Sequence, residues 1–243
     1  MWPIYRKEIN SFFSSLVGYI VIGVFLVALW LVMFVFPEFS LLESNYATLS
    51  QLFAIAPLLF LFLMAAITMR TFAEEHQAGT FELLATHPLR DIDIVLGKFL
   101  ACMTLVALAL VPTVLYYATV YFLGSPVGNL DAGAIVGSYI GLLLLAGAFV
   151  AIGLFASSLV SNQIVAFILS IFLGFLLHWG FYYFSELPVF LGKTDDLVQM
   201  IGMEYHYESI SRGILDTRDL IYFSSVIAFF IVLTLVSLDR RKW

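Results

Sequence analysis

The sequence predicts an all-α integral membrane protein, and three observations carry that expectation. The 243 residues are 62% hydrophobic and 12% charged, with a mean hydropathy of +1.02, outside the range of soluble globular chains. Six stretches are each apolar over roughly the 20 residues that a helix needs to cross a hydrocarbon core about 30 Å thick. These runs are continuous, whereas the strands of a membrane β-barrel alternate in polarity over about ten residues.

Along the chain, residues 1–15 come first. Trp2, Tyr5, Ile9, Phe12 and Leu16 recur at helical spacing with Arg6, Lys7, Asn10 and Ser11 around the rest of the circumference. That pattern predicts a helix lying along the membrane surface with its cations towards anionic headgroups. The spans are Leu16–Phe36, Leu52–Met69, Ile94–Leu123, Ala134–Val160, Ile164–Phe184 and Leu220–Leu238. The first is longer than a signal-peptide core and has no small-x-small cleavage pattern before Pro37, so it is read as a mature span. Pro57 and Pro112 are expected to kink the second and third spans, freeing backbone groups that neighbouring helices must satisfy. Gly133, Gly137 and Gly141 lead into the fourth span at four-residue intervals, where missing side chains admit a second helix from the same chain or from another subunit. Residues 185–219 form the longest polar interval. Within it, Leu197, Ile201 and Tyr205 follow a Thr194 cap at four-residue spacing and predict a surface helix.

Lysine and arginine placement sets orientation. Arg6, Lys7, Arg70, Arg90, Lys98, Arg240, Arg241 and Lys242 fall on one side of the six-span layout, whereas Lys193, Arg212 and Arg218 share the last outer loop with seven carboxylates. Both termini are therefore expected in the cytoplasm. With Lys98 assigned to that cytoplasmic side, the membrane interior is read as free of Asp, Glu, Lys and Arg. Such a composition weighs against ion-coupled transport and proton pumping, which place ionisable groups within the spans. The single histidine in a span, His178, neighbours Trp179, Tyr182 and Tyr183 and reads as part of an interfacial aromatic belt. The one cysteine, Cys102, forms no intramolecular disulfide. His76, His87, His178 and His206 lack metal-ligand spacing. Gly97-Lys98 lacks the earlier glycine of a phosphate-binding loop, so no catalytic, metal or cofactor site is assigned to this chain.

The charged segment 70–88 interrupts this apolar pattern most informatively. Glu74, Glu75, His76 and Gln77 extend the second span, and Gly79 is placed to take the left-handed conformation that ends a helix. Thr80 can cap a new short helix with Glu82 in its first turn, and His87-Pro88 stops it. The helix would carry Phe81, Leu83 and Leu84, more apolar surface than a solvated loop shows. It can pack on the bilayer, on its own neighbours or into another protein.

At this point the sequence resembles a known family. Arg70-x-Phe72-x-Glu74-Glu75-x-x-x-Gly79-Thr80-x-Glu82-Leu83-Leu84, followed by Pro88, is similar to the coupling-helix signature of ABC-2 type transporter permeases. Gly153-Leu-Phe-Ala-Ser157-Ser158-Leu-Val-Ser161-Asn162-Gln163 resembles the family's turn between spans four and five. Ser211-Arg212-Gly213-Ile-Leu-Asp216-x-x-Asp219-x-x-Tyr222-Phe223 resembles its entry to the last span. The opening Arg6-Lys7-Glu8 and Phe12-Phe13-Ser-Ser-Leu-Val-Gly18-Tyr19 are most similar to the gliding-motility-associated subgroup, GldF of Bacteroidetes. A departure is His76, where arginine is common.

The resemblance implies one transmembrane domain over residues 1–243 in a bacterial inner membrane. It implies ATPase coupling through Glu74, Glu75, Gly79, Thr80, Phe81, Glu82, Leu83 and Leu84. The implied partners are a cytoplasmic ABC ATPase dimer carrying the ATP and Mg, a second permease subunit as homodimer or heterodimer, membrane lipid and a periplasmic protein, with no nucleic acid. The cargo would be amphiphilic, or the output mechanical. Two other classes stay open: a scaffold or anchor of a motility or secretion machine, and an intramembrane lipid-handling enzyme using Asp195-Asp196, Glu204 and His206. For the latter, a Thr194 cap explains the paired carboxylates more simply, as a favourable helix start.

Overall fold

The described residues of the computed structural model, 1–41, 46–80, 90–188, 192 and 195–240, form helices and turns and no strand. A surface helix α1 (Trp2–Ser14) precedes the first span, α2 (Leu16–Phe34). The second span is α3 (Ser50–Thr68), continued after a turn by α4 (Ala73–Gln77). The third comprises α5 (Asp91–Leu110), a 3-10 turn and α6 (Val114–Leu123); the fourth is α7 (Ala132–Leu159). The fifth runs from α8 (Gln163–Phe175) through a π-helical turn (Leu176–Gly180) into α9 (Phe181–Ser185). Two short helices, α10 (Asp195–Gln199) and α11 (Met203–Ser211), lead to the last span, α12 (Thr217–Arg240). The chain is an all-α integral membrane protein with six spanning helices.

The central helix is α7, packed by α12, α8, α3 and α5. Its apolar window is 78% buried within the chain, against 22% for α2 and for the last span. Helices this apolar on every side need a non-aqueous surface, so the uncovered faces of α2 and α12 are those that lipid or a second membrane subunit must cover. Asp131 caps α7 by accepting from the Ala134 amide at 3.0 Å. Asn162 caps α8 by accepting from Ile164 and Val165, which makes the turn between these spans tight.

The two prolines act differently. Pro112 divides the third span into two helices, as expected, whereas α3 continues through Pro57. Lacking an N–H, Pro57 leaves the carbonyl four residues back, that of Phe53, without its helical donor. Tyr207 supplies one, its hydroxyl donating to the Phe53 oxygen at 2.8 Å. Burial pushes the Tyr207 hydroxyl above its ordinary pKa, which keeps it a donor.

Two expectations are corrected and a third is extended. The N-terminal surface helix also packs on the bundle: Ile4 and Phe12 are buried while Trp2 is exposed. Its contact is Gly97 of α5, where an added Cβ would come within 3.0 Å of the Met1 oxygen and 3.1 Å of Ile4 Cβ. The outer segment is two helices broken at 200–202, so Leu197, Ile201 and Tyr205 do not share one helix, although all three are exposed. His178 belongs to no belt: it is 1% exposed, whereas Tyr182 and Tyr183 beside it are open.

The glycine series is used within the chain at two of its three positions. A Cβ on Gly137 would lie 2.6 Å from the Gly213 carbonyl oxygen, and one on Gly141 would run into Ile210. Gly133 approaches only its neighbour Asp131. Gly213 itself has φ +84° and faces Ala134, so the bend from α11 into α12 nests on the start of α7.

Candidate functional site

At the end of the bundle that carries α1, the second span does not run straight into its polar extension. The chain turns at 69–72, and a turn inside a packed bundle strands backbone donors and acceptors. Ser157, near the end of α7, takes up three of them. Its Oγ accepts from the amides of Phe72 (3.1 Å) and Ala73 (3.0 Å) and donates to the Met69 carbonyl (3.1 Å). Ser157→Ala should therefore cost about 1–3 kcal/mol by leaving buried amides without partners. Hydrogen–deuterium exchange should speed up first at Phe72 and Ala73; unchanged protection there would reject the assignment.

Beyond the turn, α4 ends as expected at Gly79, with φ +64°. The Gly79 amide donates to the His76 carbonyl and the Thr80 amide to the Glu75 carbonyl, the paired reverse bonds of a Schellman ending. The Thr80 hydroxyl also points back, to the Glu75 carbonyl at 3.4 Å. Phe81, Glu82, Leu83 and Leu84 lie outside the described residues.

The two adjacent carboxylates of α4 face opposite ways. Glu74 is exposed and pairs with Arg70 one turn earlier at 3.0 Å. Glu75 is buried, its Oε1 receiving Lys7 Nζ at 2.7 Å and lying 3.0 Å from Lys98 Nζ. Lys98 is 1% exposed, about two turns into α5, and all three of its donors are engaged: Glu8 Oε1 at 2.8 Å, Glu75 Oε1, and the Thr71 carbonyl at 2.6 Å. The ammonium also stands 4.9 Å from the centre of the Phe72 ring, within cation–π range. Two lysines and two glutamates thus form a neutral cluster joining α1, α4 and α5. This corrects the reading of the six spans as free of charged residues: Lys98 belongs to the third spanning helix and is buried within the chain by a complete set of partners.

A cavity of about 220 Å³ opens beside the cluster, lined among others by Lys7, Glu8, Arg70, Glu74, Glu75 and Thr80. Of the residues the sequence singled out, Glu74, Glu75, Gly79 and Thr80 lie at this end of the bundle; the gathering of Lys98, Glu8 and Ser157 beside them was not foreseen. A lysine four residues into an apolar helix was the available signal for the first.

A family model described as ABC-2 family transporter protein matches residues 37–203, more than half of the chain. The chain belongs to the ABC-2 transporter family. No curated protein matches it closely enough to count as a relative. As the membrane component of an ABC transporter, an ABC-2 permease implies a partner ATPase. The matched region contains Lys98, Glu75 and Ser157; Glu8 lies before it. Of the candidate enzyme residues in this ABC-2 chain, His206 is otherwise engaged. His206 faces Asp219 with Nδ1 at 2.7 Å and the Met200 carbonyl with Nε2 at 3.0 Å, so neither nitrogen is free to take a substrate proton. Among the described residues no three His, Cys, Asp or Glu side chains are grouped to hold a metal.

Proposed function

We propose that this permease takes the stroke of a separate cytoplasmic ATPase pair through the segment 70–88 and converts it into a change of angle between two six-span subunits. What supports this reading is the Lys98 cluster. It ties α4 to α1 and α5, while Ser157 ties the same turn to α7, so a push delivered just beyond Gly79 reaches three elements with little slack. Phe81, Leu83 and Leu84 supply the apolar docking surface, and Glu74 the charged rim. The partner ATPase holds ATP and Mg, and this chain binds no cofactor of its own. Both termini lie in the cytoplasm of a cell whose inner membrane the protein spans. The opening Arg6-Lys7-Glu8 supports a place in the gliding-motility-associated subgroup. Apolar, lipid-facing spans suit an amphiphilic cargo or mechanical work on a periplasmic partner.

Leu83→Asp would place an unpaired charge in the docking surface, and Gly79→Val would re-aim the segment that follows because a β-branched residue resists positive φ. Both variants are expected to reach the membrane normally yet lose ATPase copurification and permease-stimulated hydrolysis. Full association and coupled hydrolysis in both would reject the coupling role. In a Cys102→Ala background, a cysteine at Thr194 should react with an impermeant maleimide in spheroplasts and one at Ala78 should not; the reverse pattern would invert the orientation.

A further inference from the structure

At the opposite end of the bundle, a second cavity of about 110 Å³ is lined by His178, Tyr182, Gln199, Glu204, Tyr205 and Glu208. Two of these residues carry a buried polar atom without a hydrogen-bond partner among the described residues, His178 Nδ1 and Glu204 Oε2. His178 sits in the π-helical turn, a distortion that often marks functional positions. The rings of Phe149, Trp179 and Tyr207 surround it, with centroids 5.8, 4.3 and 6.1 Å away. In the neutral tautomer with its proton on Nε2, the ring offers a lone pair at Nδ1. Glu204 and Glu208 follow each other by one turn of α11. Glu208 already has Arg212 at 3.2 Å, which leaves the charge of Glu204 without a counterion among the described residues. Burial first, and then the charge of Glu208, hold the Glu204 carboxyl above its ordinary range.

We propose that this cavity binds a primary ammonium group. Its N–H donors satisfy the Glu204 oxygen and the imidazole lone pair together, and its charge neutralises Glu204. Water could bridge the two acceptors but would leave that charge standing. A quaternary ammonium has no N–H to give. The volume is that of about three or four waters, enough for an ethanolammonium group. Such a group can reach the cavity as a lipid headgroup or as a free amine.

The test uses the full chain in phosphatidylglycerol nanodiscs, titrated with ethanolammonium and followed by saturation-transfer NMR. Saturable binding is expected, weakened about tenfold or more in Glu204→Gln, since a charge-assisted hydrogen bond is lost. His178→Phe should weaken it as well, and tetramethylammonium should not compete. Glu204→Gln is isosteric, and an unchanged helical melt by circular dichroism verifies its fold. Native mass spectrometry then separates the sources. Retention of phosphatidylethanolamine over phosphatidylglycerol, lost in both variants, assigns a lipid headgroup; ethanolammonium binding without lipid selectivity assigns a free amine. No binding, equal affinity in Glu204→Gln, or equal competition by tetramethylammonium would overturn the proposal.

Discussion

Lys98→Ala is expected to destabilise the protein by about 3–5 kcal/mol, because removing one member of a buried charge cluster leaves the others uncompensated. Glu8 would lose its 2.8 Å partner, the Thr71 carbonyl its donor, and Glu75 would keep only the half-exposed Lys7. Removing both carboxylates together with Lys98 leaves only the half-exposed Lys7 charged, where water can solvate it, so this replacement should be far milder. A Lys98→Met, Glu8→Gln, Glu75→Gln triple variant should lie within about 1–2 kcal/mol of the parent, since apolar or neutral substitutes avoid the desolvation of buried ions. Thermal unfolding of the purified protein in one detergent checks both values. Equal losses in the single and triple variants would show that lysine packing, rather than charge balance, sets the stability. The triple variant also isolates function: if the cluster transmits the ATPase stroke, it should fold and bind the ATPase yet show weakened stimulation.

The second large effect is expected at Asp219, which holds the opposite end of the bundle together. His206 Nε2 faces a backbone carbonyl and must donate to it, so the proton between Nδ1 and Asp219 Oδ1 belongs either to an imidazolium or to a carboxylic acid. Either assignment makes the pair neutral. The Ser209 hydroxyl donates to the second Asp219 oxygen at 2.6 Å, and the imidazole stacks on the Tyr222 ring with centroids 3.9 Å apart. These contacts join α11 and the 200–202 turn to the last span. Asp219→Ala is expected to cost about 3–5 kcal/mol through the unpaired, buried histidine it leaves. Asp219→Asn keeps an acceptor for one bond and should cost less. A change below about 0.5 kcal/mol for Asp219→Ala, the range of ordinary surface substitutions, would reject the latch.

Much of this protein was legible because bilayer solvation is a local property: a run of apolar residues declares its environment without reference to its neighbours. The same holds for the end of α4, where Gly79 takes positive φ for reasons contained in a few residues. Lys98 was not legible in this way. One lysine near the start of an apolar helix reads as an interfacial cation, and only α1, closing over it through Ile4 and Gly97 and bringing Glu8, makes the position interior. His178 was misread for a related reason, since aromatic neighbours in sequence suggested a belt while the π-helical turn rotates the imidazole towards Phe149 and Tyr207.

By itself, then, the sequence determined the six spans, the helix-ending glycine and the segment that resembles a coupling helix, all set by composition and short-range backbone preference. Tertiary structure alone decided which face of α4 turns inward, separating buried Glu75 from exposed Glu74. It also decided that Gly137 and Gly141 receive the bend before α12, and that Ser157 and Tyr207 satisfy backbone groups freed in α3 and the turn after it. Each of those outcomes depends on partners from 23 to 154 residues away or on the packing of separate helices, because a buried polar group takes its partner from whatever the fold brings beside it.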